Sequence, residues 1–346
     1  MYRISSNDPV SAARRRPVRR RRAVLACALI PAIAAIAAFA TSTPAFAQSR
    51  TKVVMGWSRT PDVPQIAEAQ EKGLWKQRGL DVDIVPFATG RDAFEALLGG
   101  QLDYAVMAEF PAVTGALRRQ KFGVLAVLSK YQALRVIAKS PAPTDFAALD
   151  GKKIGVTVGT NINFVLANAL KTRNAKAELV NVAPPDLIPA LVRGDIAAGA
   201  LFPSAYAAAK RALGDQYQEI MLPEARAAFV LVASARVLDD EALHRKVLEG
   251  LLEGEKFVVA DPKASQEVSG RYVGNAMPLE TVRAQWPLYE YRVQLDRATL
   301  DWMVAEGRWL VERGAVKNVE ANEALIRSVF RTAPLKSLAP ERVSLD

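Results

Sequence analysis

A chain of 346 residues offers one cysteine and one histidine. The cysteine, Cys27, falls in the leader segment considered below, so the remaining chain has no disulfide framework and must be held by an apolar core. With His244 as the one imidazole, Ser-His-Asp and Cys-His nucleophile systems and His/Cys zinc sites lack partners. Neither a metal ion nor a cofactor is expected, and no short acidic pair stands out as a carboxylate-only site. Aromatics are sparse, at 7%, and basic residues mix with acids instead of alternating with aromatics, which excludes a nucleic-acid surface. No glycine loop is followed by Lys-Ser/Thr at P-loop spacing. Beyond residue 47 no apolar run approaches membrane-spanning length.

What the chain does carry is a formal charge of +10, and that charge is uneven. Eight of the 46 basic residues but one of the 36 acids precede residue 48, which leaves +3 for the rest. The arginine-rich start, the apolar run 23–40 and Ala45-Phe46-Ala47 have the order of a secretory signal peptide, with the cut expected before Gln48. A membrane anchor is the alternative; Pro31, the many alanines and the marginal length of the run argue against it. The mature chain is therefore expected in the periplasm, with an ordinary surface charge.

A supersecondary unit recurs in the mature chain. The segment Asp92-Ala93-Phe94-Glu95-Ala96-Leu97-Leu98-Gly99-Gly100-Gln101-Leu102 returns as Asp186-Leu187-Ile188-Pro189-Ala190-Leu191-Val192-Arg193-Gly194-Asp195-Ile196. Each reads as a short helix opened by an acid, a glycine stop and entry into a strand that ends in Phe-Pro. Upstream, the apolar runs 52–58 and 153–160 are each followed by a helical pattern (65–77 and 163–171) and a further strand (82–86 and 178–182). Alternating strands and helices predict an α/β fold of two βαβαβ lobes with parallel sheets. Strands over 124–128 and 134–138 lie between the units, and 228–234 is a return strand. The chain beyond it reads as mostly helical to about Val329, with Trp302 and Trp309 as packing residues. The tail 332–346 reads as a loose end, and His244 as a surface residue of a helix opened by Asp239-Asp240.

In open parallel sheets the crevice lies at the carboxyl ends of the strands, beside helix N-termini. That rule selects Trp57-Ser58, Thr89-Gly90-Arg91, Ala108-Glu109, Gly159-Thr160-Asn161 and Phe202-Pro203-Ser204 as candidate ligand contacts. Gly159 lets the backbone approach a ligand, and Thr160 can cap a helix whose first-turn N–H groups face an anion; the alternative is a plain strand-to-helix turn. Arg91 either clamps an anion in a fork or is solvated or salt-bridged. Trp57 either stacks on the ligand or closes the floor of the first lobe. Glu109 either accepts a ligand nitrogen or bridges the lobes.

The stretch Ile66-Ala67-Glu68-Ala69-Gln70-Glu71-Lys72-Gly73-Leu74-Trp75-Lys76-Gln77-Arg78-Gly79-Leu80-Asp81-Val82 resembles the opening of nitrate/sulfonate/taurine-type (NMT1/THI5-like) solute-binding proteins of ABC importers. So do the Ala-Leu-Leu-Gly-Gly-Gln-Leu-Asp segment ending at Asp103, Leu149-Asp150-Gly151-Lys152-Lys153-Ile154-Gly155-Val156, and Gln294-Leu295-Asp296 through Arg308-Trp309-Leu310. The resemblance implies a type II periplasmic-binding-protein fold. Lobe 1 would comprise residues 48–133 and 232–331, and lobe 2 residues 134–231, with hinge strands near 132–135 and 230–233. It further implies a non-enzymatic, monomeric receptor that closes on a small organic anion and delivers it to a membrane permease and ATPase. Glu109 and the Phe202-Pro203-Ser204 segment depart from the sulfonate-binding pattern and point away from an aliphatic sulfonate. The competing readings are an exported enzyme using Glu109 and a ligand sensor subunit.

Overall fold

Apolar runs punctuated by glycine and proline become the inner strands, and the amphipathic stretches between them become the covering helices. The computed structural model describes residues 50–140, 146–274 and 277–345; the expected leader, with Cys27, lies outside them. The first unit runs β1 (Thr51–Trp57), α1 (Pro64–Glu71), α2 (Leu74–Gln77), β2 (Leu80–Pro86), α3 (Gly90–Leu98), β3 (Tyr104–Ala108) and α4 (Phe110–Leu117). After β4 (Phe122–Lys139) comes the second unit: β5 (Lys153–Val156), α5 (Asn161–Thr172), β6 (Glu178–Asn181), α6 (Leu187–Arg193), β7 (Ala198–Ala200) and α7 (Tyr206–Leu213). Then follow β8 (Tyr217–Ser234), α8 (Glu241–Ala260), α9 (Pro262–Val273), α10 (Leu279–Gln285), β9 (Tyr289–Asp296), α11 (Arg297–Glu312), α12 (Glu323–Arg327), α13 (Ala333–Leu338) and β10 (Val343–Ser344). The helix expected over 65–77 is split into α1 and α2 at Gly73, whose left-handed backbone (φ 62°) turns the chain.

The strand order is β2-β1-β3-β8-β4-β7-β5-β6. β1 is parallel to β2 and β3, and β5 is parallel to β6 and β7. Between these wings β4 and β8 run antiparallel to one another, each 18 residues long. The first part of β4, from Phe122 to Tyr131, pairs with Ala227–Ser234 of β8, and its last part, from Leu134 to Lys139, with Tyr217–Leu222. Both strands thus belong to both lobes, and the chain crosses at the register shift between Gln132 and Leu134. Where two short strands were expected, one continuous strand serves.

Three expectations are corrected. Val230 to Ala233 pair with β3 inside lobe 1, so the second crossing falls upstream, between Leu222 and Arg226. The C-terminal segment is not wholly helical: β9 pairs antiparallel with Val127–Tyr131 of β4. The tail is not loose either. Leu335 and Leu345 are buried, β10 pairs with β9, and Arg342 holds Glu255 of α8 at 2.7 Å. Two buried leucines, a short strand pairing and one ion pair are enough to dock a short segment that composition alone reads as polar.

Close helix packing fixes the first lobe. Trp75 is buried and donates its indole N–H to Val247 O of α8 at 3.0 Å. Gly250, one turn on, makes room for the ring; a Cβ there would stand 2.3 Å from Trp75. Four residues further, a Cβ on Gly254 would meet Gln65 O at 2.6 Å. The two glycines share one face of α8 and let α1 and α2 approach it.

Candidate functional site

The carboxyl ends of β1, β3 and β7 and the N-termini of α3 and α5 converge on a cavity of about 170 Å³, walled by both lobes. Among the expected contacts, Trp57, Ser58, Gly90, Arg91, Ala108, Thr160, Asn161, Phe202 and Pro203 line it. Gly159 and Glu109 do not.

Gly159 sits behind the wall with a left-handed backbone (φ 83°), and its Cα face lies under Arg91, where a Cβ would come within 3.2 Å of the guanidinium. Arg91 itself reaches from α3 across the cleft and donates Nη1–H to Val158 O at 2.9 Å. A second bond spans the same gap: Gln285 donates Nε2–H to Pro203 O at 2.6 Å. Behind these two bonds, Phe164 of α5 packs between Phe110 of α4 and Trp302 and Trp309 of α11, with ring centroids 5.2–6.2 Å apart. The lobes are therefore held together by hydrogen bonds at the cavity rim and by aromatic packing beside it.

Thr160 occupies the N-cap position of α5, but its hydroxyl does not cap the helix. It donates back to Thr157 O at 2.7 Å, and no side chain accepts from the first turn. α3 differs: Thr89 Oγ1 accepts from Asp92 N at 3.1 Å. The α5 terminus therefore keeps open amide donors and the positive end of a twelve-residue helix at the cavity wall.

Glu109 was expected at the crevice edge and is instead 0% exposed. Its Oε2 accepts from Ala228 N at 2.8 Å and its Oε1 from Trp302 Nε1–H at 3.0 Å. It ties the loop after β3 to β8 just past the crossing, and to α11. Glu306 of α11 lies beside it, equally buried and without a hydrogen bond of normal geometry. Burial, and then the negative Glu109, hold the Glu306 carboxyl well above the ordinary carboxylate range. Glu109 is raised by burial too, but its two N–H donors oppose the shift. Glu306 is thus the member that keeps a proton. His244 is likewise buried, not on the surface: Tyr104 O–H donates to Nδ1 at 2.9 Å and Nε2–H donates to Leu238 O at 3.1 Å. Burial lowers its pKa and keeps the ring neutral.

The sequence reading missed Thr60, Asp62, Tyr131, Phe229, Gln285 and Tyr289, all of which line the cavity. Tyr131 and Tyr289 pack at 4.7 Å and Tyr289 and Phe229 at 6.2 Å, forming an aromatic wall. Asp62 is the wall's acid. Burial lifts its carboxyl from an ordinary 3.8 to about 6, against a hydrogen bond from Thr60 and the nearby Trp57 indole. A signal for it existed, since Asp62 follows β1 in the same crevice as Trp57-Ser58. Among the described residues no group of three or more His, Cys, Asp or Glu is placed to hold a metal ion, and no helix is long and apolar enough to cross a membrane.

A family model described as NMT1/THI5 like matches residues 60–265. A binding protein of Brucella abortus is 26% identical over 219 residues, 60% of this chain and 66% of that one, just under two thirds of its length. The taurine-binding periplasmic protein of Escherichia coli is 28% identical over 158 residues, 44% of this chain and 48% of its own. A 4-amino-5-hydroxymethyl-2-methylpyrimidine phosphate synthase of Saccharomyces cerevisiae is 30% identical over 106 residues, 30% of this chain and 31% of that one. Among solved structures, the alkanesulfonate-binding protein of Xanthomonas axonopodis bound to MOPS superposes with a TM-score of 0.67 at 15% identity, covering 82% of this chain and 98% of that one. The periplasmic nitrate-binding protein of Synechocystis gives 0.68 at 14% identity, covering 84% and 89%. At these identities the superpositions establish the fold.

Proposed function

The chain belongs to the NMT1/THI5-like family and has the type II periplasmic-binding-protein fold, and from that premise we propose that it is the extracytoplasmic solute-binding receptor of an ABC importer. The observation that carries this reading is the cavity itself, walled by both lobes and bridged at its rim by Arg91 and Gln285. A solute that touches both walls favours the closed arrangement over an open one, and only that difference in affinity can drive closure. Rotation about the crossings in β4 and β8 opens the cleft by breaking two rim hydrogen bonds and parting Phe164 from its aromatic neighbours. The closed form is then the one a membrane permease and its ATPase accept.

The open amide donors of α5, with Arg91 nearby, suit a carboxylate or sulfonate group on the solute. The size of the cavity suits a small molecule and excludes a polymer. Export follows from the leader, removed before Gln48. The enzymatic reading relied on Glu109, whose carboxyl is engaged by Ala228 and Trp302 away from the cavity. Small-angle scattering of solute-free and solute-bound protein tests the receptor reading: solute must contract the particle, and a bound solute that leaves it unchanged refutes hinge closure.

A further inference from the structure

The cavity is lined by one carboxylate and one guanidinium, Asp62 and Arg91. Arg91 is engaged with Val158 O and lies 3.6 Å from Glu95. Asp62 has no such partner. It is 7% exposed; Oδ2 accepts from Thr60 Oγ1–H at 2.7 Å, while Oδ1 is buried with only the Trp57 indole N–H near it, which is not placed to make a hydrogen bond of normal geometry. Among the described residues no Lys, Arg or His pairs with it. The hydroxyl of buried Ser129 in β4 donates to the Asp62 main-chain carbonyl and fixes the backbone there, while Thr60 holds Oδ2 of the side chain. Gln285 has the same deficit: its amide nitrogen donates to Pro203 O, which leaves Oε1 as a buried acceptor with no donor. Two preorganised acceptors therefore line one cavity, among the rings of Trp57, Tyr131, Phe229 and Tyr289. Buried acceptors without donors are costly, and aromatic faces attract cations and flat rings.

We propose that Asp62 receives a nitrogen of the solute, protonated or bearing N–H, so that the ligand class is a small zwitterion or amino-substituted organic acid and not a simple anion. This rests on the receptor reading and narrows it. A plain sulfonate or carboxylate leaves both acceptors unfilled and adds negative charge beside Asp62. An amino acid, aminosulfonate or aminated ring fills them while its acid group meets α5.

The test uses matched probes that share an acid and differ in a nitrogen: taurine against ethanesulfonate, 4-aminobutanoate against butanoate, and 3-aminobenzenesulfonate against benzenesulfonate. Calorimetric titration of the wild type should show at least one nitrogen-bearing member binding about tenfold or more tightly than its partner. In Asp62→Asn, whose amide oxygen still accepts from Thr60, that advantage should vanish while the melting temperature does not fall. It should also shrink in the wild type between pH 7.5 and 5. The other titratable groups facing Asp62 are Tyr289 and Tyr291 of β9, both raised by burial and neutral throughout. Equal binding of the nitrogen-free members, or an advantage that survives Asp62→Asn, overturns the inference and leaves the receptor reading standing. If none of the six probes binds, the inference is overturned, while the receptor reading stands or falls by the contraction that scattering detects.

Discussion

Replacing Asp62 by Asn should make the empty protein more stable, although the residue lies in the cavity wall. Burial lifts the Asp62 carboxyl from 3.8 to about 6. At ~1.4 kcal/mol per tenfold change in proton affinity, that corresponds to about 3 kcal/mol of differential stabilisation of the protonated form. The sign follows from linkage: a carboxyl raised on folding contributes stability fully below its unfolded pKa and loses it as pH rises through the folded one. Asp62 therefore weakens the fold at pH 7.5 and ceases to do so near pH 4. Asn keeps the acceptor for Thr60 but places an N–H₂ group in the unpartnered position, which reduces the gain to about 1–3 kcal/mol. For a chain of this size that is a rise of a few degrees in melting temperature, roughly 2–4 °C per kcal/mol. Paired melts of wild type and variant at pH 4.5, 6 and 7.5, without solute, read the difference directly. It should be near zero at pH 4.5 and largest at 7.5. A variant less stable than wild type at pH 7.5, or a gap independent of pH, would show that Asp62 is already satisfied in the empty protein, and the argument for a nitrogen on the solute would lose its basis.

The buried carboxyl pair gives a second contrast. Glu306→Gln replaces a protonated acid by an amide and should be tolerated at neutral pH; it should also remove the loss of stability expected of wild type as pH rises through the elevated Glu306 pKa. Glu109→Gln sets an amide donor against the N–H of Ala228 or Trp302 and should cost about 1–3 kcal/mol. Urea unfolding between pH 6 and 9 separates the two, and equal costs would mean the proton is misassigned. Arg91→Ala removes the cross-cleft bond to Val158 O and should weaken a bound solute about tenfold without lowering the melting temperature of the empty protein, since the side chain is 43% exposed. Unchanged affinity in titration calorimetry would exclude Arg91 as a latch.

The two βαβαβ units were legible because both local signals agree there. Met55 and Ile154 sit in apolar runs, and α3, capped by Thr89 with Asp92 in its first turn, stops at Gly99. The crossing was harder to place. The first third of β8, Tyr217–Leu222, alternates exposed and buried residues from Glu219 on and carries no long run to detect. β9 shows period-two burial at Val293 and Leu295, yet the helices on either side dominate the local composition. The crevice rule found part of the wall, since it depends on topology alone. It could not say which way a side chain turns at a strand end. Ala108 ends β3 at the cavity, and Glu109, already in helical backbone (φ −63°, ψ −30°) as α4 begins, is buried in the core. The carboxylate sought at Glu109 is supplied by Asp62, brought into the wall by a loop whose path depends on the Ser129 hydroxyl of a strand far along the chain.

The central claim is closure around a solute across the β4 and β8 crossings. Small-angle X-ray scattering on protein stripped of solute by unfolding and refolding, then titrated with a solute shown to bind by calorimetry, measures it most directly. A chain of 299 residues beyond Ala47 closed as described here should have a radius of gyration of about 19 Å. The account predicts a larger value without solute and a return to the closed one at saturation. Superimposable curves at zero and full occupancy would contradict it.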